Sequence, residues 1–385
     1  MVVALVGSAA ADPTSGVDAA LWRPSYDTNG IFAVEGARLM PVRDLSFKLF
    51  AGYAQAPIDI SVPGIGDSSA DHILKYAAQF DMTFGMTITD RLAIGFDAAG
   101  YRSAVGAGYG TRGLYTDPTV RSTGLISLRP LSNIDPSANP DNGMAFLGDE
   151  LAGPLDVHAG LKLALYQDPN IALTAIGSVF LPFGEDEMLL GDRGIVYEPK
   201  LAFEYRPDRY HATRVVANAA MRIRQRSVLE AYDASNAAMT AADAKVILDV
   251  GSEAVAGLGG LVEVSPRLLL GAEAQAFIPL PSSLDYGSCF RFNGAKCGTL
   301  TDADYFNGGS RGDFTVLATA GVGIRATGDL TVNVLAGAGF AGDRSEQFQV
   351  TAGLVWSPQP EGAASVGRND KDGDGIPDSV DACPD

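Results

Sequence analysis

The stretch ILKYAAQFDMTFGMTI, residues 73–88, decides the fold class. Its even positions carry Leu74, Tyr76, Ala78, Phe80, Met82, Phe84, Met86 and Ile88, and its odd positions include Lys75, Gln79, Asp81, Thr83 and Thr87. Successive side chains of a strand point to opposite faces, so this alternation describes a strand with one apolar and one polar face. Strands of soluble domains average about five or six residues. This one is long enough to cross a bilayer, which takes about 9–11 residues of tilted strand.

The pattern recurs in LDVHAGLKLAL (155–165), IVYEPKLAFEYR (195–206), TRVVANAAMRIRQR (213–226), RLLLGAEAQAFIPL (267–280), DFTVLATAGVGIRAT (313–327), DLTVNVLAGAGFAG (329–342) and EQFQVTAGLVW (346–356). Short turn signals join these segments in pairs: MPVRD at 40–44, TDR at 89–91, DPN at 168–170, RPDRY at 206–210, SPR at 265–267 and TGD at 327–329. The opposite ends are joined by longer polar stretches at 56–71, 107–154, 184–194, 227–243 and 281–312, and by the brief GDRSE at 342–346. Short turns on one side and long loops on the other is the pattern of an outer-membrane barrel. Alternation alone also permits a soluble sandwich. Strand length and turn asymmetry argue against it, as do two groups of aromatics, with Tyr53, Tyr76, Tyr197, Phe314 and Phe340 toward the long loops and Phe47, Phe203, Tyr205 and Trp356 toward the short turns.

The fold class expected is therefore all-β, a transmembrane antiparallel up-and-down barrel over residues 31–357. Thirteen segments are convincing, whereas bacterial barrels use an even number. VDAALWRPSYD (17–27) is then either a further strand, giving about fourteen, or a segment threaded through the lumen of a twelve-stranded barrel. IFAVEGARLM (31–40) reads as an irregular first strand, because Glu35 and Arg38 leave neither face clean for lipid.

Composition narrows the function. A net charge of −18 makes nucleic acid an improbable partner. Forty-five glycines, set inside apolar segments, favour strands and turns over helices. Residues 1–11, MVVALVGSAAA, read as the remnant of a signal peptide without its charged beginning, followed by a periplasmic or lumen-threading stretch at 12–30. Cys289 and Cys297 in CFRFNGAKC are expected to form a disulfide in an oxidising compartment. No histidine lies in a nucleophile signature, so no enzyme activity is expected, and His158 reads as a polar lumen residue.

The inward faces carry both signs of charge. Arg214, Arg222, Arg224 and Arg226 on one segment oppose Glu253, Glu263 and Glu273 on the next two. Cross-strand ion pairing is the expectation, since neighbouring strands bring opposite charges within reach; an arginine ladder filtering anions is the functional alternative.

The chain closes on DKDGDGIPDSVDACPD, residues 370–385. Counting from Asp370, carboxylates fall at positions 1, 3, 5, 9 and 12 (Asp370, Asp372, Asp374, Asp378 and Asp381), with Gly375 at 6 and the Ile376 carbonyl at 7. That is the ligand spacing of an EF-hand-like calcium loop, in which the glycine allows the turn that converges hard oxygens. The motif resembles a thrombospondin type 3 repeat, which implies calcium as cofactor and a cysteine, here Cys383, paired with a neighbouring repeat. With it, LWRPSYDTNGIFAVEGARLMPVRDLSFKLFAGYAQAPI (21–58) and FQVTAGLVWSP (348–358) resemble OmpA-family outer-membrane proteins of the myxobacterial, TraB-like type. The resemblance implies a Gram-negative outer membrane, a periplasmic C-terminus, a linker at 358–369 and a peptidoglycan-binding domain beyond the repeat. It also implies a role as envelope anchor or cell-surface contact component, with lipid, peptidoglycan and a surface protein as partners. A passive porin or hydrophobic-solute transporter is the alternative.

A lone acidic loop lacks the neighbour that would bury Ile376, so its affinity should be that of weak extracellular modules, roughly 10⁻⁴–10⁻³ M. Calorimetric titration of a peptide of residues 369–385 with calcium should show this, and Asp374→Ala should abolish it. Absence of binding at millimolar calcium, also with following repeats attached, would leave only an acidic tail.

Overall fold

The computed structural model describes residues 18–57, 74–105, 126–129, 150–184, 190–192, 194–207, 211–225, 227–233, 245–280, 314–341, 344 and 347–357. Sixteen strands run through them. The first eight are β1 (Leu45–Gln55), β2 (Leu74–Thr87), β3 (Leu92–Val105), β4 (Ile126–Arg129), β5 (Glu150–Pro154), β6 (Val157–Gln167), β7 (Ile171–Leu181) and β8 (Val196–Tyr205). The rest are β9 (Arg214–Arg222), β10 (Ser227–Asp233), β11 (Lys245–Val250), β12 (Glu253–Ser265), β13 (Leu268–Pro279), β14 (Thr315–Arg325), β15 (Leu330–Ala341) and β16 (Phe348–Trp356).

Twelve of them form a ring. β1 pairs with β2 on one side and β16 on the other, and the order continues through β15, β14, β13, β12, β9, β8, β7 and β6 to β3, which returns to β2. Every pairing is antiparallel, so the sheet is a closed barrel with no free edge in the wall. A sandwich is thereby excluded. β5 continues β6 upward along β3: Gly100 faces Pro154 while Asp97 faces His158, so one extra residue is inserted. This is a β-bulge, and it aims Asp156 into the interior. Above the wall, β10 and β11 prolong β9 and β12 and recruit β4 into a separate three-stranded sheet.

The exterior is apolar and the interior polar, the reverse of a soluble protein. Phe80 and Val334 are 51% and 55% exposed, while Asp81 and Glu253 on inward faces are 1% and 0% exposed. Leu161, Leu163, Leu165, Leu201, Leu258 and Leu354 also stand outward. Such a continuous apolar belt meets lipid, not water. Tyr53 stacks on Tyr76 with ring centroids 5.9 Å apart and lies 6.2 Å from Phe348, giving the long-loop rim an aromatic cluster. The alternation of residues 74–88 holds with one shift. A register irregularity between Leu74 and Tyr76 turns Leu74 inward, where it is fully buried.

Three expectations are corrected. The barrel has twelve strands, not about fourteen. Residues 18–41 are not strands; the entire stretch lies inside the barrel, including the part read as an irregular first strand. Glu35 and Arg38 point in different directions because this segment faces the barrel's interior wall and not lipid. The stretches 107–154 and 227–243, read as loops, contain β4, β5 and β10.

The short turns are compact. In the turn after β6, Asp168 accepts the Tyr166 hydroxyl at 2.6 Å and the amides of Ile171 and Asn170 at 2.7 and 2.8 Å. These donors, the tyrosine first, hold its carboxyl below the usual range. In a background with Cys289, Cys297 and Cys383 replaced by Ser, a cysteine at Asp168 should resist an impermeant maleimide on intact cells, and one within 281–312 should react. Labelling at Asp168 would invert the barrel's orientation.

Candidate functional site in the barrel lumen

The lumen is occupied by residues 18–41. At one end Leu21 packs with Ala220, Val255, Phe277 and Leu317, near the long-loop ends of β9, β12, β13 and β14. At the other, Leu39 packs with Ala93 and Ala164 at the short-turn end. Between them the segment folds on itself, with Ser25 N–H to Phe32 O at 2.8 Å and Ile31 N–H to Val34 O at 3.0 Å. An apolar cluster of Trp22, Ile31, Phe32 and Val34 meets Phe50, Val216, Leu261 and Leu335 of the wall.

This segment pairs with no strand, yet its amides are buried at membrane depth, where an unpaired donor costs several kcal/mol. The wall supplies acceptors. The Glu273 carboxylate takes the amides of Phe32, Ala33 and Val34, each at 2.9–3.0 Å. Glu204 takes those of Ala37 and Arg38 at 3.1 and 3.0 Å. Asn218 accepts from Glu35 N–H and donates to Glu35 O, both at 2.8 Å. The wall's side-chain acceptors stand where a neighbouring strand's carbonyls would.

Ion pairs add a second layer. Arg23 lies 3.2 Å from Asp18, 3.4 Å from Asp97 and 3.7 Å from Asp81. Lys162 is held between Asp27 at 2.8 Å and Glu35 at 2.6 Å. All seven carboxylate and cation side chains of these two clusters are nearly inaccessible to solvent, so their Coulomb attraction is little screened.

A third contact is steric. Gly85, Gly95 and Gly160 on β2, β3 and β6 face one another in register, and Gly160 faces Ser178 on β7. The Tyr26 ring lies over Gly95 and Gly160, where any Cβ would overlap it, and its carbonyl lies over Gly85. Its hydroxyl meets the Ser178 hydroxyl at 3.1 Å. This row of small residues is a trough cut for one aromatic side chain. His158, beside it, is stacked on Phe180 at 4.0 Å and lies 4.7 Å from Tyr26, so it packs as an aromatic ring.

The predicted lumen charges are inward but rarely pair as expected. Among the described residues, Arg224 alone of these arginines bridges to the glutamate segment, reaching Glu253 at 3.1 Å and also Asp192 at 2.9 Å. Arg222 binds Glu198 at 2.8 Å, and Glu253 is shared with Arg344. Glu263 binds Arg325 at 2.7 Å. Glu273 serves the internal segment, and Arg214 donates to the carbonyls of Ala212, Thr28 and Gly30. Arg226, Cys289, Cys297 and the calcium-loop residues Asp370, Asp372, Asp374, Ile376, Asp378 and Asp381 lie outside the described residues. Sequence reasoning missed that Arg23, Asp27 and Glu35 are partners of the wall. The signal was present in 18–38, whose charges fit neither a period of two nor a clean polar face.

Below the segment, at the short-turn mouth, a vestibule of about 800 Å³ remains. Phe32, Phe50, Leu261 and Leu269 line it, together with Lys48 and Arg214.

No protein-family model and no curated protein matches the chain. Among solved structures, the COG4313 outer-membrane channel of Pseudomonas putida F1 aligns with a TM-score of 0.51 at 13% identity, over 84% of this chain and 98% of that one. The Pseudomonas putida toluene transporter TodX aligns with a TM-score of 0.38 at 10% identity, over 89% and 99%. The NanC porin aligns with a TM-score of 0.39 at 8% identity, over 80% and 98%. The first likeness establishes the fold as that of an outer-membrane barrel.

Removing one partner of a buried ion pair costs about 3–5 kcal/mol. Lys162→Met strands Asp27 and Glu35 together, so the segment should open at least 100-fold more often, at tenfold per 1.4 kcal/mol. Maleimide labelling of Ala33→Cys, in the background without native cysteines, reads this directly. Arg38→Met should change labelling less than about fivefold, because Arg38 is partly solvated and Arg206 still pairs with Glu204. Equal labelling in both variants would show that the buried pairs do not hold the segment.

Proposed function

We propose that the protein is a Gram-negative outer-membrane barrel that works closed, as an envelope anchor or cell-surface contact component. In this reading residues 370–385 bind calcium and form a stiffened spacer toward a periplasmic, peptidoglycan-binding domain. The observation that carries it is the internal segment 18–41, held by buried ion pairs, by carboxylates on its amides and by the Tyr26 trough. A passive pore keeps a water-filled lumen; here apolar side chains from segment and wall meet across it.

Strand parity supports a periplasmic C-terminus. β1 begins and β16 ends at the short-turn side, the side that faces the periplasm in bacterial barrels. Residues after Trp356 therefore leave from that side. A second reading, a solute channel gated by the segment, is favoured by the vestibule, which a pure anchor does not require. It is also favoured by the likeness to a protein described as an outer-membrane channel.

Planar-bilayer recording separates the two. The wild-type barrel should give no steady conductance, and Lys162→Met combined with Glu273→Gln should give discrete openings as the segment loosens. Steady open channels from wild-type protein would replace the anchor by a passive porin.

A further inference from the structure

We infer that the vestibule at the short-turn mouth binds an amphiphilic organic anion, with an acidic head group on an apolar body. This goes beyond the reading above and does not depend on whether the barrel conducts.

Five cations border the cavity, and they fall into two kinds. Arg38 and Arg206 share Glu204, and Arg325 is paired with Glu263, so each of these three has a carboxylate in contact. Among the described residues, Lys48 and Arg214 have no carboxylate within ion-pair distance. Lys48 donates to the Ser25 carbonyl at 2.6 Å and the Ser25 hydroxyl at 2.9 Å. Arg214 donates to three carbonyls, and its Nε–H is buried without a partner. Both side chains are more than nine-tenths buried, at 3% and 6% exposure. They project from β1 and β9, on opposite walls of the ring, into the same cavity.

Carbonyl and hydroxyl dipoles do not cancel a cation's charge, a guanidinium such as Arg214 stays protonated even when buried, and low surrounding polarity strengthens its pull on an anion. The mouth carries Asp44, Asp90 and Asp329 on solvent-facing turns. Those charges lie in water and are screened within about 8–10 Å, whereas the buried pair is not. The field of that pair therefore decides the sign of the ligand.

Its body is set by the wall. Arg214 is the register partner of Leu261, and Leu261 packs with Phe32, Phe50 and Leu269 along the cavity. An anion at Arg214 thus places whatever it carries against an apolar surface. About 800 Å³ suits a molecule of drug-like size, since ligand pockets run from roughly 300 to 1,000 Å³. A bare inorganic anion would leave that surface uncovered.

The test uses the full chain in lipid nanodiscs, with empty nanodiscs as blank, and calorimetry with naphthalene-2-carboxylate. Its neutral amide and inorganic phosphate serve as comparisons. The carboxylate should bind at least tenfold more tightly than either. Arg214→Gln and Lys48→Met should each weaken it about tenfold, and Leu269→Trp, which fills the cavity and leaves both cations in place, should abolish it. Heat-modifiable mobility on gels verifies that each barrel is folded; if Arg214→Gln fails to fold, Lys48→Met and Leu269→Trp decide. Equal affinity for acid and amide, equal affinity for phosphate, no saturable binding, or binding unchanged in the folded variants would each overturn the proposal.

Discussion

The structure depends on one constraint: a non-sheet backbone lies inside a membrane-spanning barrel, and each buried amide in it needs an acceptor. Glu273 answers this most directly, with one carboxylate receiving three consecutive amides, those of Phe32, Ala33 and Val34. A charged acceptor forms hydrogen bonds roughly twice as strong as a neutral one. The three donors in turn stabilise a carboxylate that has no cation in contact. Neither group is tolerable alone, and together they need no water.

The same reciprocity governs the charges. Lys162 on the wall would be a lone buried cation without Asp27 and Glu35, and Asp81 and Asp97 on the wall face Arg23 of the segment, which Asp18 also pairs. A buried pair compared with apolar residues of similar size adds little stability, whereas a broken pair is strongly destabilising. These networks therefore act less as glue than as a registration device. A segment displaced by one residue would misplace Arg23, Asp27 and Glu35 together, and Tyr26 would leave the one row of small residues that admits its ring. The position of the segment is over-determined by charge, hydrogen bonding and shape.

The barrel itself was legible in the sequence because lipid and lumen impose opposite polarities on alternate residues, and residues 73–88 record that alternation almost without error. The strand number was not, because a segment enclosed by protein faces no uniform solvent and leaves no period. Val17–Asp27 could be read as strand or as threaded chain for that reason. The glycine row left a faint mark: Gly85, Gly95 and Gly160 all occupy inward positions, where polar residues are the rule. Their common height appears only once register aligns the strands. Arg214, Arg224, Glu253 and Glu273 are buried on the inward face, but their partners were expected on adjacent strands. Most lie instead on the internal segment or on connections such as Asp192 and Arg344, and cross-strand reasoning does not reach those.

The distribution of contacts along the segment divides the lumen into two unequal halves. Toward the long loops, Leu21, Trp22, Arg23 and Tyr26 are packed or paired with the wall on every side. Toward the short turns, Thr28 to Phe32 contact β9, β12 and β13 on one flank and border open volume on the other. The stretch Thr28 to Phe32 is therefore the less enclosed part of the segment, while Asp27, Glu35, Ala37 and Leu39 on either side of it are held by the wall. A segment so built can yield first where it borders the vestibule, while Arg23 and Tyr26 keep the far half in place. Whatever enters from the short-turn side meets Arg214, which holds the carbonyls of Thr28 and Gly30 on the open flank, and Lys48, which holds that of Ser25 where the sealed half begins.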